Sequence, residues 1–258
     1  MAIKNKAVIL QFFGYLLIIL IMSCLSSFFP LWGNMVLAVI FPIIVLLTKE
    51  MVSFEKIKLT TLLGGRILTA LTAVYLFPEN WLLVIVALLM YINITEAILA
   101  DAKKKRWENA IAGAAVLATT HLLFTSSWIS ISESGSVIQI GYYIITHKAI
   151  VFWILAYTLW NFNFVTGEFS SSVSLYHIAI LSTPLIISFS IGLPGLWVLT
   201  RATSLTTAGA LQILRKPSIE SGLESERFGR FIRTFQKREI QICLMIVVIL
   251  LSIVSFFY

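Results

Sequence analysis

The stretch of sequence that decides the fold is IQICLMIVVILLSIVSFFY, residues 240–258, in which no charged side chain interrupts the apolar ones. About 20 apolar residues in a helix cross a hydrocarbon core of roughly 30 Å. The stretch does not alternate polar and apolar residues, as the strands of a membrane barrel do. Because backbone groups in lipid must hydrogen-bond internally, residues 240–258 predict a membrane-spanning helix.

Apolar runs of similar length recur along the rest of the chain. They cover about residues 7–29, 34–48, 60–77, 81–100, 109–131, 149–166, 175–191 and 196–214. The sequence therefore predicts an all-α, polytopic transmembrane helical bundle of about nine spans, or eight to ten. The range is open because residues 137–146 either extend the sixth span or form a re-entrant segment. We expect residues 1–258 to form a single integral membrane domain.

The composition excludes an ordinary soluble protein. Hydrophobic residues make up 59% and charged residues 12% of the chain, and the mean hydropathy is +0.95. Soluble domains carry roughly 25% charged residues, which cover their surfaces. A lipid bilayer is thus the expected surrounding.

The formal net charge of +7 does not indicate a nucleic-acid partner, because the basic residues lie in short loops between apolar runs. Residues 49–58, 103–106 and 215–238 fall on one side of the predicted topology, with Lys148 nearly alone on the other. Positive loops face the cytoplasm. We therefore expect a cytoplasmic N-terminus, and the short loops favour a prokaryotic cytoplasmic membrane.

Ionisable groups inside the predicted spans are candidates for function, since burying them in hydrocarbon costs a few kcal/mol each on insertion scales. Arg66 and Glu96 lie at similar depth on consecutive spans, so they are expected to pair. Asn93 shares a helical face with Glu96. The predicted polar cavity opens to the cytoplasm and is lined by these three residues together with Asn161, Asn163, Glu168 and His177.

Two further residues allow more than one interpretation. His121, predicted at mid-span, could relay protons, hold a metal or bond to a neighbouring helix. Arg201 lies in a stripe of Thr and Ser that would line an anion path or simply allow close helix packing. The three His residues are predicted at different depths, and Cys24 and Cys243 both lie in apolar runs. No metal or other cofactor is therefore predicted.

Residues 215–239 form the longest hydrophilic stretch and contain a basic amphipathic helix. Its apolar side carries Phe228, Phe231, Ile232 and Phe235, and its basic side carries Arg227, Arg230, Arg233 and Lys237. Anionic lipid at the cytoplasmic surface is the expected partner. A simpler interpretation is that the helix only positions the last span.

The sequence contains no Gly-rich Lys-Ser/Thr phosphate loop, which argues against an ATP-driven pump. Paired carboxylates spaced for magnesium are also missing, which argues against magnesium-dependent lipid transferases. The first hypothesis is a transporter or channel for a small solute or ion, with Glu96 as its titratable or cation-binding group. The alternatives are a lipid-modifying membrane enzyme, using His177 or His121 beside Glu168 or Glu96, and a non-catalytic subunit. A homo-oligomer or a membrane partner is compatible with each.

Overall fold

The fold was taken from a computed structural model, which describes residues 2–29, 31–51, 53–125, 128–132, 139–144 and 148–258. The described chain is almost entirely helical. In chain order its helices are α1 (Ala2–Phe28), α2 (Trp32–Asn34), a π-helical segment (Met35–Ile40), α3 (Phe41–Thr48), α4 (Ser53–Ala73), α5 (Glu79–Lys103), α6 (Trp107–Thr119), α7 (Leu122–Thr125), α8 (Lys148–Glu168), α9 (Ser171–Ser190), a 3-10 turn (Pro194–Leu196), α10 (Trp197–Leu214), α11 (Lys216–Gly222), α12 (Glu226–Phe235) and α13 (Arg238–Phe257).

Five helical segments in the described part of the chain are long and apolar enough to cross a membrane. They are Asn5–Phe28, Val84–Lys103, Lys148–Glu168, Ser171–Ser190 and Arg238–Phe257. The other predicted spans are also helical, but they are shorter or more polar, so the count of about nine spans is not confirmed. Helix α6, for example, has 13 residues, which is about 20 Å of helix.

The prediction of one continuous fifth span over residues 109–131 is wrong. Helix α6 ends at Thr119, and strands β1 (Trp128–Ser132) and β2 (Gln139–Ile144) form an antiparallel hairpin. The β1 sequence WISIS alternates apolar residues with Ser, a pattern that suits a strand more than a helix. Residues 139–144, part of the segment expected either to extend the sixth span or to form a re-entrant segment, therefore pair as β2.

Helices α8 and α9 form the inside of the bundle, whereas α1 and α13 lie on its outside. About two thirds of the apolar windows of α8 and α9 are buried, against 17% for those of α1 and α13. Helix α10 packs against α1, α3, α4 and α9. On α13 the exposed residues Ile246, Leu250, Ile253 and Phe257 recur every three or four positions. Such an apolar stripe suits contact with lipid.

One end of the bundle carries nearly all of the positive charge. Polar contacts at this end tie together the start of α1, the start of α4 and the C-terminal segments, as in Ser225 to Asn5 (2.8 Å) and Lys216 to Glu55 (3.0 Å). We call this the basic end; among the Lys and Arg side chains that the structure describes, only Arg66, Lys148 and Arg201 lie away from it. The clustering agrees with the predicted loop asymmetry.

Candidate functional site

Helix α10 carries a polar stripe through the middle of the bundle. The hydroxyls of Thr200, Thr203 and Thr207 bond to carbonyl oxygens of their own helix at 2.8–3.1 Å. These residues are fully buried. Because each hydroxyl is satisfied within its own helix, the stripe permits close helix packing at little polar cost. The residue that distinguishes the stripe is Arg201.

Arg201 is buried between α10 and α8. The residue is only 7% exposed, and one Nη of its guanidinium donates to Asn161 Oδ1 at 3.3 Å. The guanidinium lies 6.0 Å from the ring centre of Tyr157, within the range of a cation–π contact. Its Nε is buried without a hydrogen-bond partner among the described residues. Arg201 thus retains donor capacity inside the bundle.

Arg66 lies on the other side of α10. It is 3% exposed, and its Nη1 donates to Thr203 Oγ1 at 2.9 Å. Its backbone carbonyl accepts a bond from Asn34 Nδ2 at 3.0 Å, which connects α4 to the segment that precedes the π-helical turn. The crevice beside Arg66 is lined by residues of α4, α5 and α10 and has a volume of about 10 Å³. This is room for about one water molecule.

The two arginines lie at the same depth. Each is 13 positions from the basic end of its helix, Ser53 for Arg66 and Leu214 for Arg201, so each lies about 20 Å inside. Neither arginine forms an ion pair with a described side chain. The ion pairs between described residues lie at the basic end. We call Arg66, Arg201 and their partners Asn161 and Thr203 the cationic layer.

The expected pair of Arg66 and Glu96 does not form. Glu96 Oε1 lies 3.6 Å from Lys58 Nζ, and both side chains are 41% exposed. Asn93, on the same helix, is half-buried. Residue spacing placed Arg66 and Glu96 at similar depth, but depth alone does not decide which way two side chains point.

The asparagines of α8 face different neighbours. Asn161 accepts from Arg201 on α10, whereas Asn163 and Gln241 of α13 exchange amide hydrogen bonds, one of them 2.9 Å long. Residues two positions apart on a helix point about 200° away from each other, so the side chains of Asn161 and Asn163 lie on opposite sides of α8. The structure therefore does not bring both into one cavity.

Glu168 belongs to an ionic cluster at the basic end rather than to the cationic layer. Its carboxylate lies 2.7 Å from Lys104 Nζ and 2.6 Å from Arg106 Nη2. The same Nη2 lies 2.6 Å from Asp101, whose other oxygen accepts from Asn109 at 2.6 Å. Asp101 has no exposed side-chain surface. This cluster joins the ends of α5, α6 and α8.

The histidines do not form a shared acid–base site in the described part of the chain. His177 Nδ1 lies 3.0 Å from the Val173 carbonyl, and its ring stacks on Phe169 at 4.5 Å. His121 lies in the turn after α6, with Nδ1 2.9 Å from the Ala118 carbonyl. His147 falls outside the described residues. No group of three His, Cys, Asp or Glu side chains converges among those that are described.

The amphipathic prediction for residues 215–239 corresponds to helix α12. Ile232 is fully buried against the bundle. The basic residues Arg227, Arg230, Arg233 and Lys237 are exposed. The helix therefore lies on the basic end with its charged side outward.

Sequence reasoning missed three buried polar residues, Asn34, Asp101 and Asn109. Each is 0–1% exposed. Asn34 begins the predicted second span, while Asp101 and Asn109 border the basic loop at residues 103–106. The signal available in the sequence was one acidic residue, Asp101, two positions before four consecutive basic ones, a pattern that suggested a solvent-exposed loop. Comparison with protein families, with curated proteins and with solved structures finds no match for this chain.

Proposed function

We propose that this protein is a multi-pass membrane transporter for a small anionic solute, with its basic end facing the cytoplasm. The observation that carries the proposal is the cationic layer. Two arginines are buried at one depth, and their hydrogen-bond partners there, Thr203 and Asn161, are neutral.

A buried guanidinium loses hydration worth several kcal/mol, and a carboxylate partner normally offsets that cost. Within the described residues the carboxylates with ion-pair partners lie at the basic end, far from Arg66 and Arg201. A guanidinium carries five N–H donors in a planar fork that suits anions with several oxygens. The partner that best complements the cationic layer is therefore an anion that enters from outside the protein.

Two features favour a transporter over a permanently open pore. The crevice next to Arg66 has room for about one water, so a larger solute reaches Arg66 only if neighbouring helices separate. Two irregular segments lie in elements that pack against the helices of the layer: Pro184 is inside α9, which packs on α8 and α10, and the π-helical segment Met35–Ile40 packs on α4. Such interruptions are common where helices move or bind solutes.

The test is uptake of defined anions by proteoliposomes that contain the purified protein. Chloride and inorganic phosphate are supplied in separate experiments, under an imposed membrane potential and then under a pH difference. We expect uptake of at least one anion by the wild type and a loss of at least tenfold in Arg201→Gln. Arg201→Lys keeps the charge but not the planar fork, so it should retain more uptake than Arg201→Gln. Lys148→Gln is the matched control, because it removes the same charge from an exposed residue.

The reasoning fails if anion uptake is the same in Arg201→Gln, Arg66→Gln and the wild type. Cation flux that is lost in Glu96→Gln would instead support a pathway along the Lys58–Glu96 pair. Absence of any flux, together with co-purification of a second membrane protein at fixed stoichiometry, would support a subunit role.

A further inference from the structure

A groove at the basic end lies between α1, α9 and α12, away from the cationic layer. Its walls include Ile9 and Phe12 of α1, Ile178 of α9, and Phe228 and Phe231 of α12. Its volume is about 400 Å³, within the range of roughly 300–1,000 Å³ that is usual for sites of small molecules. The groove is therefore large enough for part of an amphiphilic molecule.

The groove is a fixed feature of the fold because α12 is anchored at both ends. Ser225, just before α12, donates to Asn5 Oδ1 at 2.8 Å, and Gln236, just after it, donates to the Thr166 carbonyl at 2.8 Å. Between them Ile232 is fully buried. Closing the groove would require breaking these contacts.

In a bilayer that Asn5–Phe28 crosses, the walls would lie near the boundary between head groups and acyl chains. Ile9 and Phe12 are about one to two turns inside the spanning segment Asn5–Phe28. Ile9 is 38% and Phe231 is 47% exposed, so apolar surface is open toward the surroundings of the bundle. In lipid, this surface would contact acyl chains rather than water.

Charge identifies which lipid suits the groove. Of the described residues that line it, Arg227 is the one that carries a charge. On a helical projection Arg227 lies about 40° from Phe231, so the guanidinium borders the apolar wall. A phosphate held by Arg227 would leave an attached acyl chain directly beside Phe231 and Ile9.

We infer that this groove binds one anionic phospholipid from the leaflet at the basic end, with an acyl chain between α1, α9 and α12 and its phosphate on Arg227. The site is independent of the proposed transport of anions. It differs from general attraction to an anionic surface because one arginine and one groove provide both contacts.

The test is native mass spectrometry of the purified protein, titrated with dioleoylphosphatidylglycerol and, separately, with dioleoylphosphatidylcholine. We expect the first phosphatidylglycerol to bind more tightly than the first phosphatidylcholine. Arg227→Gln should lower the affinity for phosphatidylglycerol by about fivefold, which corresponds to the ~1 kcal/mol that one basic residue contributes at an anionic surface. Arg230→Gln is the matched control, since Arg230 is exposed on the same helix and does not line the groove.

Two further variants fill the groove. Ile178→Trp should lower the affinity for both lipids at least tenfold, and Ile9→Trp should do the same at a position that is already 38% exposed and tolerates a larger side chain. The second variant decides the matter if the first does not fold. Unchanged affinity in a folded Trp variant, or equal losses in Arg227→Gln and Arg230→Gln, would overturn the inference. So would a second protein chain that occupies the groove and excludes both lipids.

Discussion

The ionic cluster around Arg106 leads to the sharpest prediction about stability. Arg106 Nη2 lies 2.6 Å from both Asp101 and Glu168, and thereby joins the ends of α5 and α8. In Arg106→Gln the Asp101 carboxylate stays fully buried and keeps only the bond from Asn109 (2.6 Å). We expect the change to destabilise the protein because a buried charge is left without its counter-charge.

The magnitude follows from the burial of the partners. Removing one member of a buried ion pair costs about 3–5 kcal/mol. Arg106 and Glu168 are 21% and 22% exposed, and Lys104 remains 2.7 Å from Glu168, so we expect a somewhat smaller cost, ~2–4 kcal/mol. For a protein of this size, that lowers the midpoint of thermal unfolding by about 5–15 °C.

The assay is thermal unfolding in detergent, followed by the fraction that remains monodisperse in size-exclusion chromatography. Lys103→Gln removes the same charge from an exposed neighbour and should change the stability by less than ~0.5 kcal/mol. Adding Asp101→Asn to Arg106→Gln removes the buried carboxylate, while an amide oxygen still accepts from Asn109. This double variant should regain at least about 1 kcal/mol. If Arg106→Gln unfolds like Lys103→Gln, or if the double variant is less stable than Arg106→Gln, the assignment of the cluster is wrong.

Three further substitutions test the packing. A Cβ at Gly113 would lie 2.7 Å from Trp160 Nε1, so Gly113→Ala should cost ~1–3 kcal/mol through overpacking and lower the unfolding temperature in detergent. Gln241→Leu removes the amide partner of buried Asn163 and should cost ~1–3 kcal/mol in the same assay. Ile232→Ala truncates a fully buried side chain and should destabilise the packing of α12 on the bundle by ~2–5 kcal/mol. Limited proteolysis with trypsin would detect this as faster cleavage within the helix.

Two of these substitutions, Gly113→Ala and Ile232→Ala, have a clear contrary result. Gly64→Ala is the matched control for Gly113→Ala, because no heavy atom lies within 4 Å of a Cβ built at Gly64. It should stabilise helix α4 slightly, by ~0.5–1 kcal/mol. Equal effects at the two glycines would contradict the close approach of α6 and α8. Tryptic cleavage in Ile232→Ala at the wild-type rate would show that α12 does not depend on this contact.

The membrane character of the protein was predictable from the sequence alone. Residues 240–258 and four similar runs form helices that are long and apolar enough to cross a bilayer. The basic end and the amphipathic helix α12 also follow from local patterns. These predictions hold because hydropathy and helical periodicity belong to each segment separately and do not depend on its neighbours.

The tertiary structure alone decided which polar groups meet. Glu96 pairs with Lys58 instead of Arg66. Asn161 and Asn163 turn to different helices, and Asp101, which lies beside the basic loop in the sequence, is fully buried. Pairing depends on which helices are neighbours and on how each is rotated about its axis. Because a rotation of about 100° separates consecutive residues, small differences in packing redirect a side chain to another partner without changing the hydropathy pattern.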